Sequence, residues 1–300
     1  MRAFEYVSAM DARHAVALLA EYGADAKVLA GGTDLLVELK AALRVPPVII
    51  DISRAEDLHN IELTAEGLSI GAAVTHAAIM RSPLVRDLCP ALVDAAHTIG
   101  AVQTRNRGTL GGNLVTCVPS MDSGPTLLAL DARVAIAGPG GIRSLSLDQF
   151  FVGPRKTVLT PGELLVAIVI PQKNFGKPAV FVKFGLRKGQ ALALVNIAVS
   201  LRVDASNQTF YETRIAMGAV APSVIRAMQA EIYLEGRAIT PAAITEAGVI
   251  AAGEAKPISD FRASAGYRRD LIAALTRRAL ENVCARRDAA GRQIKWPMLR

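Results

Sequence analysis

The first fifty residues alternate short apolar runs with segments of helical periodicity. Residues 3–7 predict a strand, and a helix follows that Ser8 or Asp11 caps and Gly23 ends. Lys27–Ala30 predicts a second strand, "GGT" leads into a second helix, and "PPVIIDI" predicts a third strand. This order is typical of a small α/β unit.

The pattern changes at Leu58. "HNIELTAEGLSIGAAVTH" alternates around a turn and predicts a hairpin, Pro90–Ile99 predicts a helix, and "PTLLALDARVAIAGPGGIRSLSL" predicts a short helix and two strands. No helix follows the "GPGG" turn, which favours a hairpin turn over a phosphate site. Thr160–Pro171 predicts a strongly apolar strand.

The last third predicts a sheet followed by helices, the order of an α+β domain. After a linker at "QKNFGKP", two long strands bracket "RKGQ", and a third strand follows a turn near Asn207. Helical runs then cover Ile225–Leu234, Pro241–Ala252 and Gly266 to about Arg286.

Composition narrows the class of protein. The 300 residues are 51% hydrophobic and 20% charged, which excludes a disordered chain and predicts two or more domains. The net charge of +7 suits nucleic acid, an anionic ligand or an acidic partner subunit. The basic residues form pairs such as Arg286 and Arg287 rather than a long run, and Trp296 lies far from the glycine-rich segments. A solvated or subunit-facing surface is therefore expected, and no nucleic acid.

Cysteine usage indicates the compartment. Cys89, Cys117 and Cys284 are too few and too scattered for a disulfide framework or a metal site, which predicts a reducing environment. The N-terminus carries acidic residues in place of the apolar core of a signal peptide. The longest apolar stretch, residues 164–170, is too short for a membrane span. We expect a cytoplasmic protein.

Two glycine pairs, in "AGGTD" and "TLGGN", are the strongest chemical signal. Glycine lets the backbone approach a bulky anion, so that successive N–H groups can donate to phosphate oxygens, and the helix after "GGTD" adds its positive end. Neither segment has the Gly-Lys-Ser/Thr of nucleoside triphosphatases, and the chain has no GxGxxG. The two segments together predict a pyrophosphate held between two subdomains.

Six segments in order carry a family resemblance: "VLAGGTDLLVELK", "GAVQTRNRGTLGGNL", "LLALDARV", "TPGELLVAIVIP", "FVKFGLRKGQALALVNIAVSL" and "DFRASAGYRRDL". Together they resemble the FAD-binding medium subunit of molybdenum hydroxylases, the xanthine dehydrogenase and carbon monoxide dehydrogenase family. The resemblance implies an α+β fold, with a two-subdomain FAD-binding domain (PCMH-type) over residues 1–175 (subdomains about 1–55 and 56–175). A smaller α+β C-terminal domain over residues 176–300 follows.

The resemblance also implies a function. The chain would be an FAD-carrying oxidoreductase subunit with no catalytic acid, base or metal of its own. Electrons would pass from a small [2Fe-2S] subunit to the FAD and on to an external acceptor, while a large subunit holds the molybdenum cofactor. The assembly implied is a dimer of heterotrimers. The alternative is a self-sufficient FAD-dependent oxidase, for whose substrate pocket the C-terminal third offers no clear acid–base residues.

The resemblance carries over by position a set of cofactor-binding residues: Val28, Leu29, Ala30, Gly31, Gly32, Thr33, Asp34, Ile99, Thr109, Leu110, Gly111, Gly112, Asn113, Asp122, Leu165, Lys183 and Phe184. The two glycine-rich segments among them would hold the pyrophosphate largely through backbone amides. Arg187 and Lys188 match a basic loop near the isoalloxazine, which we interpret as a gate on the acceptor side.

Several of these residues have a structural alternative. Ile99 and Leu165 suit a core, Asp122 suits the N-cap of the following helix, and Lys183 suits an exposed strand position. No catalytic role is expected for the histidines, His14, His59, His76 and His97.

One segment departs from the family. After the second glycine pair, relatives often read Asn-Leu-Ala-His-Ala-Asp-Pro, whereas this chain reads "NLVTCVP". Val118 thus replaces an acidic residue, and Cys117 is expected close to the cofactor. No cysteine-bearing insertion interrupts the FAD domain, which argues against the hydroxybenzoyl-CoA reductase branch.

Overall fold

The computed structural model describes residues 2–204 and 208–285. Their strands are β1 (Glu5–Ser8), β2 (Ala26–Leu29), β3 (Val48–Asp51), β4 (Ile61–Thr64), β5 (Gly67–Gly71), β6 (Arg133–Gly138), β7 (Gly141–Ser146), β8 (Phe151–Gly153), β9 (Lys156–Thr157), β10 (Leu164–Pro171), β11 (Ala179–Gly185), β12 (Ala193–Asp204), β13 (Thr209–Gly218) and β14 (Ile225–Arg226). Their α-helices are α1 (Ala12–Tyr22), α2 (Leu35–Lys40), α3 (His76–Arg81), α4 (Pro83–Leu88), α5 (Pro90–His97), α6 (Val102–Arg107), α7 (Leu110–Thr116), α8 (Ser123–Ala129), α9 (Met228–Leu234), α10 (Pro241–Glu254) and α11 (Ala265–Cys284).

The first unit is a three-stranded parallel sheet in the order β1-β3-β2. All four residues of β3 are buried, as a central parallel strand requires. Asp11 caps α1 by accepting the N–H of His14 at 2.7 Å, and Gly23 ends that helix with φ +55°. The predicted alternation of strands and helices is confirmed, and the cap is Asp11 rather than Ser8.

The second unit is a five-stranded antiparallel sheet in the order β4-β5-β10-β6-β7. Both predicted hairpins form, β4–β5 around residues 65–66 and β6–β7 around residues 139–140. Six helices, α3 to α8, lie between β5 and β6 in the chain. The sequence pattern predicted α5 and α8, whereas α3, α4 and α6 have six residues each and are too short to show a helical period.

The third unit is a four-stranded antiparallel sheet, β11-β12-β13-β14, buried on both faces. Val180 and Val182 point into a core with α9, α10 and α11. The alternate residues Phe181, Ala198 and Ala216 join the core of the five-stranded sheet on the other face. The C-terminal helices and the second unit therefore pack on opposite sides of one sheet. This arrangement confirms the predicted α+β class.

Two sequence predictions change in detail. The helix predicted over Ile225–Leu234 begins only at Met228, because Ile225 and Arg226 pair with β13 as an edge strand. The linker is firmly packed: Asn174 donates from Nδ2 to the Leu130 carbonyl at 2.8 Å, and Lys177 donates from Nζ to the Glu212 carbonyl at 2.7 Å. The predictions at Asn207, Arg286, Arg287 and Trp296 lie outside the described residues.

Across residues 2–204 and 208–285, none of the helices combines the length and the apolar character that crossing a membrane demands.

Candidate anion-binding cleft

A cleft lies where the parallel sheet meets α7 and β10. A Cβ on Gly31 would lie 1.9 Å from the Arg107 carbonyl oxygen, so the first glycine pair packs directly against the segment that precedes the second. The cleft encloses about 980 Å³ of empty space including its mouth. Many of the residues predicted to bind a cofactor line it: Val28, Ala30, Gly31, Gly32, Thr33, Asp34, Ile99, Thr109, Gly111, Gly112, Asn113 and Leu165.

The first glycine pair presents free backbone donors. Within the described part of the chain, the N–H groups of residues 31–34 make no hydrogen bond. Gly32 has φ +73°, a left-handed conformation that turns successive N–H groups toward one side and favours an anion there. These free N–H groups are available to an anion, and the predicted contact with a pyrophosphate stays a prediction.

The second glycine pair lies inside α7 rather than in a loop, and its backbone donors are already used. Leu110 N–H donates to Val74 and Gly111 N–H to Ala72, each at 2.9 Å. The N–H groups of Gly112 and Asn113 both donate to Thr109, to its hydroxyl and its carbonyl respectively, at 3.0 Å. This segment therefore offers side chains to the cleft, which corrects the prediction that both segments act through backbone amides.

Two of those side chains can donate into the cleft. Thr109 caps α7 with its hydroxyl oxygen, which leaves the hydroxyl hydrogen available. Asn113 accepts the Ser123 hydroxyl at 2.6 Å through Oδ1, so its Nδ2 hydrogens remain for a ligand.

The two glycines of α7 have different roles. A Cβ on Gly111 would lie 2.6 Å from the Cβ of Ala72 and 2.7 Å from its carbonyl oxygen, so this glycine permits close packing on β5. A Cβ on Gly112 would meet only the Thr109 hydroxyl, at 2.8 Å, and would project toward the cleft. Gly112 thus leaves the cleft side of the α7 backbone without a side chain.

Around the two glycine pairs, the described residues that line the cleft include no lysine or arginine. Arg143 holds the Glu163 carboxylate with two hydrogen bonds of 2.7 and 2.9 Å, which together with the Thr160 N–H lower the pKa of Glu163 to about 2. Burial raises the pKa of Asp34, and the Arg155 charge opposes that rise. An anion here would meet N–H and O–H donors, while Val28, Leu159, Leu164 and Leu165 add apolar wall.

Asp122 and Lys183 lie together where the cleft continues past Ile99 and Asn113. Lys183 Nζ is 2.5 Å from Asp122 Oδ2 and 3.1 Å from the Thr98 carbonyl oxygen, and Asn196 Nδ2 donates to Asp122 Oδ1 at 2.7 Å. Asp122 is the N-cap residue of α8, but its side chain accepts no hydrogen bond from the N–H groups of that helix. The capping alternative is therefore wrong. The alternative that Lys183 occupies an exposed strand position is also wrong, because only 9% of its side chain is exposed to solvent.

The far end of the cleft is basic and apolar. Phe184, Arg187 and Lys188 line it, and Phe184 packs edge-on against Tyr267 with ring centroids 6.4 Å apart. Arg187 turns back on its own loop, where it donates to the carbonyls of Gly189 and Gln190 at 3.0 and 2.9 Å.

The remaining predicted residues lie behind the cleft wall. Leu110 is fully buried in the core, and Leu29 lies beneath Gly32, where its Cδ1 would be 3.1 Å from a Cβ on that glycine. Leu165 lies in the core and also lines the cleft, so the core interpretation is confirmed and its contact with a cofactor stays a prediction.

The departure from the family pattern has a structural outcome. Cys117 is buried with a left-handed backbone, and its thiol donates to the carbonyls of Gly153 and Lys156 at 3.3 and 3.4 Å. It is not itself a lining residue, although Thr116 beside it lines the cleft, and its closeness to the cofactor stays a prediction. Val118 does line the cleft, beside Asp122.

Sequence reasoning missed His76, which lines the cleft between the two glycine pairs. Its side chain is 2% exposed, and burial lowers its pKa to about 4, with a smaller contribution from Arg105. A single histidine at a helix start carries no signal by which sequence alone could have placed it here.

These features suit a ligand that contains a diphosphate. The free N–H groups of residues 31–34 match phosphate oxygens, and the approach to Gly112 is open on the cleft side. In the described residues, no group of three or more His, Cys, Asp or Glu is placed to hold a metal ion.

Two known family domains together match most of the chain. Residues 2–173 match the family of the FAD binding domain in molybdopterin dehydrogenase, and residues 181–283 match the CO dehydrogenase flavoprotein C-terminal domain. The chain is 34% identical to the carbon monoxide dehydrogenase medium chain of Hydrogenophaga pseudoflava, over 94% of this chain and 98% of that protein. It is 32% identical to a xanthine dehydrogenase FAD-binding subunit of Escherichia coli, over 94% and 95% respectively.

Solved structures give the same result. A carbon monoxide dehydrogenase of Hydrogenophaga pseudoflava that lacks the Mo-pyranopterin moiety superposes with a TM-score of 0.91 at 34% identity, covering 95% of this chain and 98% of that one. Quinoline 2-oxidoreductase of Pseudomonas putida superposes with a TM-score of 0.88 at 31% identity, covering 95% and 98%. The chain therefore belongs to the family of FAD-binding medium subunits of molybdopterin-containing dehydrogenases.

Proposed function

We propose that this chain binds one FAD in the cleft and is the electron-transfer subunit of its complex. It takes electrons from a [2Fe-2S] subunit and passes them to an external acceptor. The observation that carries the proposal is the row of free N–H groups at residues 31–34, opposite Thr109 and Asn113. The bound flavin supplies the redox chemistry, and the chain binds and orients it.

Each part of the cleft has a role in this proposal. Residues 31–34, Thr109 and Asn113 hold the diphosphate, and Gly112 lets it approach α7. Ile99 and Leu165 pack against the cofactor. Asp122, Lys183 and Phe184 contact it where the cleft continues toward β11, and the direct pairing of Lys183 with Asp122 limits how much charge that lysine offers the flavin.

The partners are a large molybdopterin-binding subunit and a small [2Fe-2S] subunit, assembled as a dimer of heterotrimers. The support is that the relatives matched nearly end to end are medium chains and FAD-binding subunits, which are parts of larger enzymes. A self-sufficient oxidase has no comparable observation in its favour. We place the domain boundary between residues 175 and 176, beside the matched family ranges.

Arg187 and Lys188 line the end of the cleft nearest the solvent-exposed Leu186, and we place the external acceptor there. An Arg187→Ala variant that retained FAD and unchanged acceptor kinetics would contradict this role.

An absorption spectrum of the chain, purified alone and co-expressed with its partners, tests FAD binding directly. After incubation with FAD and desalting, we expect a flavin band equal to about one FAD per chain. A folded complex that retains no flavin would overturn the proposal.

Gly112→Ala tests the place of binding. Its Cβ would enter the cleft side of α7 and push aside the Thr109 hydroxyl, 2.8 Å away, and we expect FAD affinity to fall about tenfold, equivalent to roughly 1.4 kcal/mol. Gly253→Ala, at a helix position with no atom within 4 Å of the new Cβ, is the matched control and should bind FAD normally. Gly111→Ala is unsuitable because its Cβ would clash with Ala72 inside the fold.

A further inference from the structure

His76 is a buried imidazole whose hydrogen bonding is incomplete. Its backbone N–H donates to the Gly108 carbonyl at 3.0 Å, which fixes the residue against the segment joining α6 to α7. Its Nδ1 is buried without a hydrogen-bond partner, and Nε2 makes no hydrogen bond in the described part of the chain. A buried polar ring without partners is rare in a folded protein and calls for an explanation.

The position of the ring indicates which edge faces the cleft. A Cβ on Gly108 would lie 3.5 Å from both His76 Cδ2 and the Thr33 hydroxyl oxygen, so the three residues converge at one point. Cδ2 is bonded to Nε2, and this edge of the imidazole therefore lies toward Gly108 and Thr33. Nδ1 lies on the opposite, enclosed side.

The protonation state follows from the environment. Burial lowers the pKa of His76 to about 4, so the ring is neutral near pH 7 and carries one N–H. A proton on Nδ1 would leave an enclosed donor without an acceptor, and orphaned buried N–H groups are rarer than under-satisfied acceptors. The tautomer with the proton on Nε2 is thus favoured, which makes Nε2 a donor on the cleft side.

We propose that His76 binds the cofactor, with its neutral Nε2–H donating to an oxygen of the FAD diphosphate. The inference rests on the proposed function and adds a residue that the glycine-rich segments do not include. It also suits the part of the cleft around the two glycine pairs, whose described lining residues include no lysine or arginine, so that an anion there meets neutral donors.

Three substitutions separate a binding role from a packing role. His76→Leu removes the donor, His76→Gln places an amide N–H near the position of Nε2, and His76→Asn places one near Nδ1. We expect the Leu and Asn variants to bind FAD about ten- to a hundredfold more weakly, as for a lost hydrogen bond to a charged group, and the Gln variant within about threefold of wild type. FAD dissociation constants of the full chain, in its complex where needed, give these values. His14→Gln, on α1 and outside the residues that line the cleft, is the control.

Two spectroscopic readouts do not depend on the variants folding equally well. Nitrogen-15 NMR of wild-type imidazoles should show a pyrrole-like Nε2 on His76 whose resonance shifts when FAD is added. Phosphorus-31 NMR of bound FAD should show a diphosphate resonance that moves in His76→Leu and returns in His76→Gln. Affinities alike in Gln and Asn variants, a proton on Nδ1, or an Nε2 unaffected by FAD would overturn the inference. If wild type binds no FAD, the proposed function itself fails.

Discussion

At the residue scale, the buried pair of Lys183 and Asp122 joins the C-terminal sheet to the cleft. Both side chains are less than one-tenth exposed, and their charged atoms are 2.5 Å apart. Removing one partner leaves the other charge buried without a counter-ion. This lowers the free energy of unfolding far more than removing both charges does. We expect Lys183→Met to lower the free energy of unfolding by about 3 kcal/mol or more. The double variant with Asp122→Asn should recover much of that loss in urea titrations.

The pH dependence of the destabilisation in Lys183→Met distinguishes an unpaired buried charge from lost packing. Burial raises the pKa of Asp122, and Lys183 opposes that rise. Without the lysine the carboxyl pKa is higher in the folded than in the unfolded state, so stability falls as pH rises and the group ionises. The deficit of Lys183→Met should therefore shrink toward pH 4. A deficit that stays constant with pH would contradict the role of the charge.

Residue roles were the part least accessible from sequence. Lys183 and Asp122 are 61 positions apart, and only the packing of β11 beside α8 brings them together. Gly111 and Gly112 are adjacent and identical, yet one packs on Ala72 and the other faces the cleft. Their difference depends on how α7 is docked, which no local pattern encodes.

At the element scale, one loop ties α11 to the C-terminal sheet. Asp260 accepts the guanidinium of Arg262 at 2.7 Å and that of Arg268 at 3.0 Å, together with two backbone N–H groups. Arg268 also donates to the Leu194 carbonyl at 2.6 Å, at the start of β12. The segment "DFRASAGYRRDL", which carried part of the family resemblance, is thus the clamp between these elements.

Asp260→Asn tests this clamp. Loss of the charged acceptor should lower the free energy of unfolding at pH 7 by about 2 kcal/mol, as for hydrogen bonds to a charged group. The Arg262 hydrogen bonds are the main cause that lowers the pKa of Asp260, so its contribution is present above the unfolded pKa and is lost as pH falls below about 4. Melting curves of Asp260→Asn and wild type should converge in acid. Asp25→Asn, on the exposed surface, should match wild type throughout.

The elements could be predicted from sequence where the hydrophobic pattern repeats over several residues. Both hairpins, the alternating first unit and the long strands β11 and β12 followed from sequence, because alternation over several residues specifies a strand and its face. The six-residue helices α3, α4 and α6 span fewer than two turns and left no such period. Tertiary contacts rather than local propensity must stabilise helices of this length.

At the scale of the whole molecule, the domains are distinct in sequence but share a core. Phe181, Ala198 and Ala216 of the C-terminal sheet pack with the core of the five-stranded sheet, and Ser200 donates to the Ala129 carbonyl of α8 at 2.5 Å. Alanine predominates on this face, which lets α8 approach closely. Separating the two domains would expose one whole face of the C-terminal sheet to water.

We therefore expect the chain to unfold in a single cooperative transition despite its two family domains. Hydrogen exchange across a urea series should show peptides of α8, beside the cleft, and of α10, on the far side of the sheet, losing protection at the same midpoint. Because FAD would bind only the folded state, a hundredfold excess over its dissociation constant should raise both midpoints by the equivalent of about 2.7 kcal/mol. Separate midpoints, or stabilisation of α8 alone, would show instead that the C-terminal domain opens independently of the cofactor site.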